Sequence, residues 1–201
     1  MNSETLAATL AVATIILGCQ TADAAKFNRV LDIGKTAPVW KNLEGVDGKR
    51  HGLSDLKQAR AVVVVFTCNH CPVAKSYEQR LLNLTKKYAD RKVRVVAISV
   101  SLYEADLLDR MKLRAREQKY NFSYLHDPSQ KIGQEYGVLR TPSVFLLNQD
   151  RKVVYMGAFD DNMYEDRVST SYLIDSLNAV LAGRVPEITE TKPSGCPVAY
   201  E

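Results

Sequence analysis

Cys68-Asn69-His70-Cys71 sets two thiols two residues apart. In a helical turn that spacing lets the sulfurs close a small disulfide loop, so the pattern suits dithiol chemistry. Pro72 follows the pair, a residue tolerated in the first turn of a helix because its missing N–H is not needed there. Unpaired N–H groups and the positive end of a helix dipole stabilise a thiolate. Cys68 is therefore expected as the exposed nucleophile with a depressed pKa, and Cys71, one turn further on, as the buried resolving thiol. His70 lies between them and, when protonated, would lower the nucleophile's pKa further. The same cysteines could be half of a zinc site. Zinc normally takes four ligands, often from a second close pair. Apart from Cys19, expected to be lost with an export segment, Cys196, His51 and His126 are the further Cys and His available, none at paired spacing. The expected redox centre is the Cys68–Cys71 pair itself, with no other cofactor and no metal.

The elements around the pair can be read from hydrophobic spacing. Residues 61–66 (AVVVVF) form a β-branched run of the kind that is covered on both faces of a sheet. Val73, Tyr77, Leu81, Leu84 and Tyr88 then fall on one face of a helix. Residues 92–101 predict a second buried strand, followed by an amphipathic helix marked by Leu107, Leu108, Met111 and Ala115. Asp127-Pro128-Ser129 opens a short helix ending near Gly137. Residues 143–147 and 152–156 are strands joined by a turn at 148–151. A last helix carries Leu173, Leu177, Val180 and Leu181, with Gly183 at the place of a C-terminal cap. Near the start, Asp47-Gly48 predicts a hairpin turn. This order implies an α/β fold with a central mixed sheet and helices on both faces. The strand at 61–67 would be central, and its carboxyl end is where an open α/β sheet keeps its site. Residues 184–201 read as an extended tail.

The chain has 201 residues, 46% hydrophobic and 25% charged, which excludes a wholly disordered or collagen-like chain and leaves room for one domain. Its net charge of +4 comes from interspersed signs, so no nucleic-acid partner is expected. Residues 6–18 are apolar or small, short for a membrane span and suited to a signal-peptide core. Ala22-Asp23-Ala24 then offers small residues for cleavage. Residues 1–24 are thus expected to direct export to the periplasm or beyond, although Glu4 stands where a basic residue is usual. Ile16-Leu17-Gly18-Cys19 is a loose lipoprotein box, and membrane attachment is expected only if Cys19 is lipidated.

FTCNHCPVA resembles the active site of the thioredoxin superfamily. The lead-in of Gly34, Ala37-Pro38, Trp40, Leu43, Asp47-Gly48, Leu53 and Asp55-Leu56 is similar to that of its redoxin branch, the AhpC/TSA and TlpA/ResA-like proteins. Tyr136-Gly137-Val138 with the stretch from Arg140-Thr141-Pro142 to Leu147 resembles the superfamily's cis-proline strand. The resemblance covers residues 31–183 and implies a thioredoxin-like fold with an N-terminal hairpin and a redoxin-type insert at 102–130. It also implies that Pro142 is cis and faces the pair, and that Thr141 meets an extended substrate. His70 is placed at the same substrate-facing surface.

For activity, the resemblance implies thiol–disulfide oxidoreduction with protein thiols and disulfides, apocytochrome c or a membrane electron donor among them. Three positions depart from the pattern. Val62 replaces the thioredoxin acid, and Ala74 replaces the Glu of ResA-like proteins, so no general base for Cys71 is evident. In the peroxiredoxin template Pro-x-x-x-Thr/Ser-x-x-Cys, aligned on Cys71, Val64 and Cys68 fill the Pro and Thr places. A peroxiredoxin-like antioxidant and a copper- or zinc-binding protein without enzymatic activity stand as alternatives. Cys196 is a candidate third redox thiol, a dimer-forming cysteine, or a free thiol in a mobile terminus. Arg140 is either a counterpart of a peroxiredoxin arginine or a surface charge.

Overall fold

The computed structural model describes residues 25–201; the expected export segment at 1–24, with Cys19, lies outside the described residues. In chain order the elements are β1 (Leu43–Gly45), β2 (Arg50–His51), β3 (Ala61–Phe66), α1 (Pro72–Ser76), α2 (Glu78–Tyr88), β4 (Val93–Ser99) and α3 (Leu108–Glu117). They continue with β5 (Ser123–His126), α4 (Lys131–Glu135), β6 (Arg140–Thr141), β7 (Ser143–Leu147), β8 (Val153–Gly157), α5 (Tyr172–Leu181) and β9 (Cys196–Pro197). Seven strands form one sheet in the order β2-β1-β5-β4-β3-β7-β8, and β6 and β9 form a separate pair. β3, β4 and β5 run parallel, while β7 joins β3 and β8 antiparallel. This is the expected mixed sheet with an N-terminal hairpin.

β3 is buried at every position because both faces of the sheet are covered. Val62, Val64 and Phe66 enter one core with Trp40, Ile98, Tyr136 and Phe145. Ala61, Val63 and Val65 enter the other with Leu81, Leu84, Tyr88, Leu173 and Leu177. Period-two alternation thus sends successive side chains of one strand into different cores. α2 and α5 close the second core, and α4 with the N-terminal segment closes the first.

Two expectations need adjustment. The helical face after the cysteines is buried as expected, but the helix breaks at Tyr77 into α1 and α2. The insert also contains a strand, β5, pairing parallel to β4 from Val96–Ser123 to Ser99–His126. Its four residues, SYLH, are too short to show a period, and burial there is supplied by Met111 of α3 against Tyr124. Residues 184–201 lie along the domain, with Met156 N–H donating to Thr189 O and Thr191 N–H to Met156 O, both at 3.0 Å. No helix among the described residues is long and apolar enough to cross a membrane.

A buried ion pair ties α2 to the segment between β8 and α5. Arg80 Nη1 donates to Asp160 Oδ2 and to Asn162 O, and Tyr77 Oη–H donates to Asp160 Oδ1 at 2.9 Å. Both charged side chains are almost wholly buried. Removing one partner leaves the other charge desolvated and unpaired, which typically costs more than the pair itself contributes. Asp160→Ala is expected to lower the unfolding free energy by about 3–5 kcal/mol, measured by urea denaturation.

Candidate active site

Cys68 follows β3 and Cys71 caps α1, so both thiols stand at the carboxyl end of an interior strand. Thr141 closes the site from across the sheet. Its peptide bond to Pro142 is cis; its hydroxyl lies 3.2 Å from Cys68 Sγ, and its carbonyl oxygen lies 3.2 Å from Cys71 Sγ. Cys68, Cys71, His70, Thr141 and Pro142 are thus gathered at one point. His51 is elsewhere, paired with Asp47 in the N-terminal hairpin, and His126 faces Ser101 O at 3.4 Å.

Asp106 belongs to this constellation, and the motif reading did not include it. It is wholly buried and ends a single 3-10 turn, Glu104–Asp106, within the insert. Its Oδ1 accepts the backbone N–H groups of Asn69 at 2.6 Å and His70 at 3.0 Å. Its Oδ2 accepts from Ser101 Oγ at 2.6 Å and from His70 Nδ1. Four donors fill the acceptor capacity of a carboxylate. With Nδ1 held by Asp106, the ring turns Nε2 toward Cys68 Sγ, 4.0 Å away. The sequence signal for Asp106 was weak, because an Asp just ahead of an amphipathic helix reads as an ordinary cap.

The remaining side of the loop is held by Asn69, whose Nδ2 donates to Ala105 O at 2.8 Å and whose Oδ1 accepts from Tyr124 Oη at 3.0 Å. Tyr103 packs edge-on against the His70 ring with centroids 4.9 Å apart. The insert therefore holds every residue between the two cysteines.

The thiols do not have the expected arrangement. Cys68 is buried rather than exposed, at 4% against 0% for Cys71, because Thr141, the His70 loop and the tail cover it. The lowered pKa also falls on Cys71 rather than Cys68. The chief cause is the hydrogen bond it receives from the Cys68 thiol, opposed by burial and helped by Cys196 and by the Ala74 N–H. The Cys68 thiol is raised for the reciprocal reason, and by burial. Cys71, not Cys68, is the N-cap whose sulfur accepts from Ala74 N–H, at 3.5 Å. The N–H at the start of α1 meets the second cysteine and not the first, because α1 begins only at Pro72.

One donor atom each from Cys68, His70 and Asp106 lie within 4.8 Å of one another, the donor set a metal ion would find here. Asp106 is already saturated by its four donors, leaving the Cys68 sulfur and His70 Nε2 to face a common ion.

Cys196 reaches the same place. β9 pairs antiparallel with β6, setting Cys196 opposite Thr141, and its side chain packs against Cys68 and Cys71. Arg140 Nη1 donates to Gly195 O at 2.7 Å, so this arginine holds the tail.

Residues 33–156 match the AhpC/TSA family. The thiol-disulfide oxidoreductase ResA of Bacillus subtilis (strain 168) is 30% identical over 135 residues, 66% of this chain and 72% of that protein. An uncharacterized conserved protein from Geobacillus kaustophilus superposes with a TM-score of 0.78 at 34% identity, covering 87% of this chain and 95% of the other. A hypothetical protein from Sinorhizobium meliloti 1021 does so with a TM-score of 0.80 at 28% identity, covering 87% and 97%.

The site makes a pH prediction for the reduced protein. With Cys71 held well below the ordinary thiol value of 9.0, the unfolded chain carries a proton there that the folded pair has released. This contribution to stability is present above that value and is lost as pH falls through the folded pKa of Cys71. Cys68, raised, acts oppositely in alkaline solution. Ultraviolet thiolate absorbance is expected to show one thiolate per chain at neutral pH in the reduced protein, and none in Cys71→Ala.

Proposed function

The chain belongs to the AhpC/TSA family and is a thiol–disulfide oxidoreductase; from that premise we propose that Cys68 and Cys71 are its working pair and that its partners are protein disulfides. The observation that carries this reading is the Cys68–His70–Asp106 line, with the Thr141 hydroxyl 3.2 Å from the same sulfur. Asp106 fixes the tautomer that leaves His70 Nε2 free to accept a proton. The Cys68 thiol gives its proton to that nitrogen, and the sulfur attacks one sulfur of the partner's disulfide. The departing partner sulfur takes the proton back from His70. Cys71, favoured as the anion, then attacks Cys68 Sγ and releases the partner's second thiolate. Two electrons pass to the partner, and the pair is left as a disulfide.

His70 serves Cys68 in this reading and is not the base for Cys71 that the sequence left unassigned; for Cys71 the contact with Cys68 itself favours the anion. Attack is assigned to Cys68 because it lies beneath His70, whose side chain is 31% exposed, whereas Cys71 is sealed. Within this reading residues 1–24 direct export, residues 31–183 form the catalytic domain, and the exchange takes place outside the cytoplasm.

Insulin reduction tests the assignment. Cys68→Ser is expected to abolish turnover, and wild-type activity in that variant would overturn the proposal. His70→Ala is expected to slow attack by about 10²-fold, the lower end of what a positioned base contributes. Asp106→Asn should shift the pH profile of attack by Cys68 while leaving the far-ultraviolet spectrum unchanged.

A further inference from the structure

The edge of β6 that an extended partner would use already holds a strand. Arg140 lies opposite Pro197 and Thr141 opposite Cys196, and Val198 N–H donates to Leu139 O at 3.0 Å just beyond them. Side chains secure the last residues of the tail: Gln130 Nε2 donates to Ala199 O at 2.7 Å, and Tyr200 Oη–H donates to Val138 O at 2.6 Å. The approach is close enough to require glycine. Gly195 has φ +142°, and a Cβ there would lie 2.0 Å from Thr141 O. This is the geometry of strand addition, in which backbone hydrogen bonds hold the added segment and alternate side chains reach the site. The side chain delivered here is a thiol. Cys196 packs into the cluster of Cys68 and Cys71.

Resting on the exchange reading above, we propose that the C-terminal tail is a built-in substrate strand whose Cys196 exchanges with the Cys68–Cys71 disulfide. The Cys196 thiol loses its proton and its sulfur attacks Cys71 Sγ. The Cys71–Cys196 bond forms as the Cys68–Cys71 bond breaks, and the electron pair leaves on Cys68, which takes up a proton. Two sulfurs are oxidised before the step and two after it, so no oxidant is consumed beyond the partner disulfide that first oxidised the pair. The disulfide is thereby moved to the edge of the domain, and Cys68 is returned as a thiol beside His70. An outside partner must displace β9, which favours one offering an extended segment with its cysteine opposite Thr141.

Peptide mapping of the full-length protein after treatment with oxidised glutathione and blocking by N-ethylmaleimide tests this. Monomeric Cys68→Ser, in which the close pair cannot form, is expected to yield Cys71–Cys196 as its intramolecular disulfide. Wild-type protein is expected to yield the same linked peptides at about tenfold the level of Gly195→Ala, the order that backbone strain of this kind carries. Cys196 recovered blocked, or as a glutathione adduct, in both wild type and Cys68→Ser overturns the proposal. Insulin reduction on the same wild-type sample separates the two readings. Turnover without the Cys71–Cys196 peptides removes the tail's part alone, whereas those peptides without turnover support the tail and remove the exchange with outside proteins.

Discussion

The carboxylate of Asp106 is the contact on which the site depends. It is buried, and its four donors come from the cysteine loop and from Ser101 just beyond β4. A buried carboxylate lacking even one of them would bear the cost of an unsatisfied polar group. The loop therefore has little freedom to move away, and the backbone between Cys68 and Cys71 is fixed from the insert side. The same carboxylate orients His70, so one buried group sets both the path of the loop and the direction of the imidazole. Asn69, bridging Ala105 and Tyr124, repeats the arrangement with neutral groups.

The sheet supplies the rest of the rigidity. β3 is packed on both faces and paired on both edges, with β4 parallel on one side and β7 antiparallel on the other. The β3 end that carries Cys68 and the β6–β7 corner that carries Thr141-Pro142 are therefore brought together by strand pairing. The 3.2 Å contacts from Thr141 to the two sulfurs result from that register. Close-packed interiors tolerate little displacement, so a shift at the corner would be felt at the thiols. The tail pairs with β6, a backbone edge near the sulfurs that lies outside the main sheet.

Much of this was legible in the sequence. The β-branched run at 61–66, the apolar face from Tyr77 to Tyr88 and the hairpin turn at Asp47-Gly48 are local patterns, and local patterns survive folding when tertiary packing agrees with them. The cysteine pair at a strand end was legible for the same reason, whereas the Thr141-Pro142 corner was legible only through the resemblance to the thioredoxin superfamily. The features that were not legible depended on distance along the chain. β5 has four residues, too few to show a period, and its strand character comes from pairing with β4. The thiol with the lowered pKa is Cys71, chiefly through its contact with Cys68, and the Ala74 N–H adds to it because the helix begins at Pro72. Arg140 could be read as a catalytic or a surface charge until Gly195 O was placed beside it.

The sequence by itself determined the class of fold, the position of the thiols at the end of an interior strand and the presence of a third cysteine in a tail. These come from residue type and short-range spacing, which fix hydrogen-bonding capacity and periodicity before any contact forms. Only the tertiary structure decided that Asp106 reaches His70, that Cys68 is covered, and that Cys196 lies opposite Thr141. Each of those rests on a contact between residues more than thirty positions apart, made by the insert, the β6–β7 corner or the tail coming back to the cysteine loop. Nothing in the local chemistry of an aspartate, a glycine or a cysteine specifies such a partner. The packing of the insert and the pairing of β9 with β6 supply it.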